Sequence, residues 1–289
     1  MRAGARRFGR SVLLAFGGQV LIVVGRRPAR SAGFAFAFAL AVGASGAALA
    51  GAWTEPQGSG LLIATLYGWT GFGPPWGGNP PVNQSRADAQ AYVEYGVTDQ
   101  LTIFGQTALE HYALGPPSSD VYNGLDYSDA GLRAKLWSTG EWVFSGEATV
   151  FVPGARDAAA PAQEGNTGGA GEGRLLAGGN FALGSTPAFV DAELGYRIRT
   201  AGPPDEWHGD LTVGLKFTPQ ITVMAQDYTT VSANSTNRTF PAWRSSVVEA
   251  SLVYALDDHW SVQIGAFTTV WTVKTNSQHG LALAVWRRF

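Results

Sequence analysis

Apolar and polar side chains alternate position by position in twelve separate runs of this chain, all after residue 58. Nothing else limits its fold as much, because a period of two marks a strand with two unlike faces. In 88–97, Ala89, Ala91, Val93, Tyr95 and Val97 share one face, and Asp88, Gln90, Tyr92, Glu94 and Gly96 the other. In 210–217, Leu211, Val213, Leu215 and Phe217 oppose Asp210, Thr212, Gly214 and Lys216. The runs fall at 59–70, 87–97, 101–112, 127–137, 142–152, 173–183, 188–199, 207–217, 221–231, 244–254, 260–271 and 278–289. Most are about 10–12 residues long, whereas soluble strands centre on about 5–6 and tilted membrane-crossing strands need about 9–11.

The connections alternate too. Short turns at 98–100, 138–141, 184–187, 218–220 and 255–259 interleave with longer loops at 71–86, 113–126, 153–172, 201–206, 232–243 and 272–277. This pattern predicts an all-β fold: a transmembrane up-and-down antiparallel β-barrel of about twelve strands, occupying 51–289. A soluble sandwich also alternates, so the aromatic residues matter. Tyr95, Trp137, Trp142, Phe217, Tyr254, Trp260, Trp286 and Phe289 fall near the short turns. Trp69, Tyr112, Tyr127, Phe151, Tyr228, Trp243 and Trp271 fall near the long loops. Two aromatic belts are expected where a barrel meets two membrane interfaces.

The first fifty residues read differently. Arg2, Arg6, Arg7, Arg10, Arg26, Arg27 and Arg30 stand there without one acidic residue. Apolar stretches at 12–24 and 32–42 follow, and then Ala48-Leu49-Ala50. A basic region, an apolar region and an A-x-A site make a cleavable secretory leader over 1–50, cut after Ala50. A helical hairpin across a membrane is the competing reading, but both stretches are shorter than the ~18 residues a span needs. A start codon downstream of Met1 also remains open. Without the leader the chain carries 13 basic and 22 acidic residues, a net charge of −9, which argues against nucleic acid as a partner. Cys is absent, so neither a disulfide framework nor thiolate chemistry enters.

The polar faces collect charge at Asp88, Glu94, Glu110, Asp129, Arg133, Lys135, Glu147, Arg174, Asp191, Glu193, Arg197, Arg199, Asp210, Lys216 and Glu249. In a barrel these side chains are expected to face the lumen, because lipid penalises a basic group at mid-depth by about 2–4 kcal/mol. Two readings of such a lumen stand level: an open polar channel, or an interior filled by ion pairs and water. The acidic excess favours cations in an open pore.

No catalytic residues emerge. Hydrolysis at a membrane interface would need a Ser, a His and an orienting group. His111, His208, His259 and His279 have no evident Ser partner, and no nucleophile-elbow, zinc-protease or phosphate-loop motif occurs. Asp120, Asn123, Asp126 and Asp129 could offer oxygen ligands to Ca²⁺, but their spacing is not that of an EF-hand. The expectation is no enzyme, no metal and no cofactor. The loop 153–172 is rich in Gly and Ala and reads as a mobile external loop.

Several segments resemble a known family. They are 52–60 (AWTEPQGSG), 92–99 (YVEYGVTD), 188–199 (AFVDAELGYRIR), 202–207 (GPPDEW) and 284–289 (AVWRRF). The chain is similar to proteobacterial outer-membrane barrels labelled with the meta-cleavage pathway of phenol degradation, and to the related XagA-like barrels of exopolysaccharide gene clusters. The resemblance implies a Gram-negative outer-membrane location, lipid around the barrel, and insertion by the barrel-assembly machinery. A last strand ending in Phe289 resembles that machinery's assembly signal, although Arg287 stands where the signal prefers an apolar residue. Both mature termini are then expected in the periplasm. Passive passage of a small molecule, aromatic by the family's label, is the leading function. Exopolysaccharide export or surface assembly is one alternative, and a structural or adhesive barrel is another.

Overall fold

A computed structural model describes residues 51–289 apart from 77, 78 and 164. The leader and its cleavage site lie outside the described residues. Among the described residues there are thirteen strands and no helix. They are β1 (Gly60–Gly73), β2 (Val82–Thr98), β3 (Leu101–Leu114), β4 (Val121–Leu125), β5 (Ser128–Thr139), β6 (Trp142–Val152) and β7 (Ala170–Leu183). β8 (Thr186–Arg199), β9 (Glu206–Lys216), β10 (Ile221–Ser232), β11 (Arg244–Ala255), β12 (Trp260–Val273) and β13 (Ser277–Arg288) complete the set.

Every strand but β4 and β5 pairs antiparallel with both its neighbours in sequence, and β1 pairs with β13 from Leu61↔Arg288 to Phe72↔Ser277, which closes the ring. A closed sheet leaves no unpaired edge, the condition for placing strands in lipid. The ring has twelve positions, because β4 and β5 share one. β3 pairs with β4 through Leu109–Ala113 and with β5 through Leu101–Gln106. The expected loop 113–126 therefore contains a strand, β4. Five residues without a long alternation carry too little periodicity to announce one.

The alternation sorts side chains in the reverse of a soluble protein. On β13, Leu281, Leu283 and Val285 are exposed, while Ala282, Ala284 and Trp286 are buried. Elsewhere Leu66, Ile103, Leu109, Leu175, Leu194 and Ile264 face outward, while Thr102, Glu94, Ser145 and Glu206 are buried. An apolar outside around a polar inside suits a hydrocarbon solvent.

Several aromatic expectations need correction. Trp286 is not a belt residue: it is buried in an apolar cluster with Leu61, Phe189, Met224, Val253 and Ala284. Phe151 and Tyr228 line the interior cavity, and Trp69, Tyr112 and Tyr127 also turn inward, so most of the expected belt near the long loops is not on the outer face. Trp137 keeps its belt position through a bulge: strict alternation from Asp129 would turn it inward, but the extra residue between Lys135 and Trp137 places it outward beside exposed Leu136 and opposite Phe144. One extra residue shifts every later side chain to the other face. The outward rings near the short turns include Tyr95, Trp137, Trp142, Phe144, Phe181, Phe217, Tyr254, Trp260 and Phe289.

The turns have local causes. Asp257 accepts hydrogen bonds from the backbone N–H of His259 and Trp260, both at 2.8 Å, and these hold its carboxyl below the usual range. The loop 153–172 ends sooner than expected, because β7 begins at Ala170. It is also tied down. Ala155 and Ala162 are buried, Ala162 N donates to Asp120 at 2.9 Å, and Tyr127 Oη donates to Gly168 O at 2.8 Å.

Candidate functional site

The interior is held by arginines, three of which collect two or more carboxylates each. Arg86 pairs with Asp88, Glu110 and Asp126. Arg199 makes a two-pronged contact with Glu206 at 3.0 Å, and His208 Nε2 lies 3.3 Å from the same carboxylate. Arg174 binds Glu172, Glu193 and Asp210, and Arg197 shares Glu172 while lying 4.1 Å above the Phe151 ring. Arg133 reaches Glu94 and Glu147, each at 3.1 Å. The five donors of a guanidinium make this sharing geometrically natural. Ion pairing offsets the several kcal/mol that each buried charge would otherwise cost.

These clusters surround a cavity of about 430 Å³. Of the charged residues singled out in the sequence, Asp129, Arg133, Glu147, Arg174, Asp191, Glu193, Arg197, Asp210 and Glu249 line it. Glu94, Asp88, Glu110 and Arg199 sit in the ion pairs just described. Lys135 and Lys216 are half-buried and make no ion pair among the described residues.

The cavity wall has two unlike halves. Charges come almost entirely from β5 to β9. The opposite side offers Thr65, Tyr67, Gln90, Gln226, Tyr228 and Gln263, with Glu249 as its one charged group. Glu249 has no cationic partner among the described residues, and Gln263 Nε2 lies 3.4 Å from it. Six carboxylates face three arginines on the whole wall, so the cavity is acidic.

A feature absent from the sequence expectations narrows the end with the short turns. Of the residues that precede β1, 51–55 lie inside the ring, and Pro56 and Gln57 are exposed at its short-turn end. Ala52 N donates to Asp191 Oδ1 at 2.8 Å, Ser145 Oγ donates to Ala52 O, and Arg133 donates to Trp53 O at 3.1 Å. Glu55 N donates to Thr102 Oγ1 at 2.8 Å. The Trp53 ring lies on Gly178, where a Cβ would come within 2.6 Å of it, and it joins both apolar clusters at this end. Burial, with Glu94 alongside, raises the Glu55 carboxyl to about 7. An unusual run of Trp, Glu and Pro beside Ala52 was the only sequence signal for this segment.

The other candidate chemistry disperses. Asp120 caps Ala162, Asn123 Oδ1 meets His111 Nδ1 at 2.7 Å, Asp126 binds Arg86, and Asp129 faces the cavity. These four do not gather round one point, and no cluster suited to a metal occurs among the described residues. His279 meets Thr70 Oγ1 at 3.2 Å and His208 meets Glu206, so neither is part of a Ser–His pair.

An apolar exterior and an ion-paired interior in a closed ring define the class: a twelve-position antiparallel barrel of the outer-membrane type. Comparison with solved structures agrees. The chain is similar to an outer-membrane channel of Pseudomonas putida F1, with a TM-score of 0.64 and 12% identity, over 82% of this chain and 98% of that one. It is also similar to the translocator domain of the autotransporter NalP of Neisseria meningitidis, with a TM-score of 0.50 and 11% identity, over 81% of this chain and 90% of that one. No protein-family model matches the chain, and no curated protein matches it.

Proposed function

We propose that the protein is an outer-membrane channel for passive passage of a small molecule, neutral or cationic. The observation that carries this reading is the polar, acidic cavity of about 430 Å³ inside a ring with an apolar exterior. A purely structural barrel of this size is free to fill its interior with packed side chains. The likeness to a Pseudomonas putida channel supports the same reading. Glu249, buried without a cation on the uncharged half, supports the preference for cations.

In this reading lipid contacts the outward leucines and the short turns face the periplasm, with both mature termini. The charged groups lining the cavity face the permeant. The seam between β1 and β13 is closed by Gly60 N to Phe289 O at 2.8 Å and Phe289 N to Gly60 O at 3.0 Å. Phe289 is then both the last seam residue and the group read by the barrel-assembly machinery. Arg287, over the Trp260 ring at 5.0 Å, keeps its charge at the interface.

The test is conductance of the purified protein in planar bilayers under a salt gradient. Stepwise currents with a reversal potential on the cation side are expected. A silent bilayer with folded, heat-modifiable protein would overturn the channel reading and leave exopolysaccharide export or adhesion.

A further inference from the structure

Asp191 is 4% exposed and has no arginine or lysine partner among the described residues. Its neighbour on the same face, Glu193, is taken by Arg174. The Asp191 carboxylate instead faces the start of the described chain. It accepts the Ala52 N–H at 2.8 Å, and a Cβ at Gly51 would lie 2.8–2.9 Å from its carboxyl atoms. Any side chain at Gly51 would have to displace that carboxyl. The sequence separately places an A-x-A cleavage site at 48–50, so that a cut would make Gly51 the first residue.

We propose that Asp191 is a binding site for an α-ammonium, that of Gly51 itself, and that this pair latches the segment 51–55 inside the barrel. Hydrolysis adds water across the Ala50–Gly51 amide. The C–N bond breaks, Ala50 leaves with a carboxylate, and the Gly51 nitrogen takes up protons to become –NH₃⁺. The new cation lies beside the buried carboxylate that lacks one. Charge-assisted hydrogen bonds of this kind are among the strong ones.

The rest of the segment is already seated. The Ala52 and Trp53 carbonyls accept from Ser145 and Arg133, and Ala52 is fully buried. The uncleaved chain has an amide at this position and no charge to offer. The latch therefore forms only after export and processing. It rests on the export reading but not on conduction: a plugged barrel could hold it equally well.

The test uses mature protein purified from outer membranes in detergent. Mass spectrometry should place its N-terminus at Gly51. The α-amine of the folded protein should resist amine-directed acylation. Asp191→Asn should speed that labelling by about tenfold or more, the factor lost with one charge-assisted hydrogen bond. A single alanine inserted before Gly51 should do the same without touching the barrel wall, which covers the case in which Asp191→Asn misfolds. An N-terminus elsewhere, or an α-amine as reactive as an exposed amine in the native protein, would overturn the latch. Protection without conductance overturns the channel and leaves the latch standing; conductance with a freely labelled α-amine does the reverse.

Discussion

Arg133 donates to the backbone carbonyl of Trp53 at 3.1 Å, so one side chain of β5 binds both the barrel's ion-pair network and the strap inside it. The same guanidinium neutralises Glu94 and Glu147. Barrel wall and inner segment thus share one buried cation.

Arg133→Ala should be the most damaging of the lumen substitutions. It leaves two buried carboxylates unpaired, a loss of about 3–5 kcal/mol. It should also free the segment 51–55. Urea unfolding followed by heat-modifiable gel migration reads the first effect, and limited proteolysis near residue 57 reads the second. Equal stability of variant and wild type would show that water already screens this pair.

Docking of the inner segment should depend on pH. Glu55 has a carboxyl raised to about 7 in the folded protein, against the ordinary 4.5 of a free glutamate. A raised carboxyl favours the docked state below 4.5, and that advantage is lost as pH rises through 7. Protease access to 51–55 should therefore increase between about pH 5 and 8. Glu55→Gln should flatten that dependence.

Glu249→Gln removes a buried carboxylate that has no cationic partner. Fold stability should hold or rise, because an unpaired charge is costly to bury. Cation preference should fall, which the zero-current potential in a KCl gradient measures. An unchanged potential would place selectivity with the carboxylates of β5 to β9.

Gly214→Ala tests the packing near the short turns. A Cβ at this position would lie 1.9 Å from the Phe189 ring, which is buried. Overpacking of this sort costs about 1–3 kcal/mol. The thermal midpoint in detergent should drop. Gly68→Ala, where nothing lies within 4 Å, serves as the control.

Leu283→Arg tests the outer face. Leu283 is exposed and lies near the middle of β13. In a membrane an arginine there costs about 2–4 kcal/mol. Its yield in the outer-membrane fraction should fall, whereas Ala282→Ser, on the buried face, should be tolerated better. Full assembly of Leu283→Arg would argue against lipid at this position.

The sequence by itself determined the ring of strands, its outward apolar face and its alternating turns. Each strand is long enough to record a period of two, and that record is local. β4 was not legible, because its five residues pair with half of β3 across a loop. The bulge at Lys135 was not legible either, since it depends on the partner strand; for Trp286 alternation gives the inward face, but not the apolar cluster its ring joins in place of a belt. Tertiary contacts alone settle which carboxylate each arginine takes, that Asp191 and Glu249 form no ion pair among the described residues, and that residues 51–55 lie in the interior. Those facts depend on closing the ring, which brings Ala52 to Asp191 and Trp53 to Arg133 across 139 and 80 residues of chain. Alternation fixes which way a side chain points; only closure of the barrel fixes what it meets there.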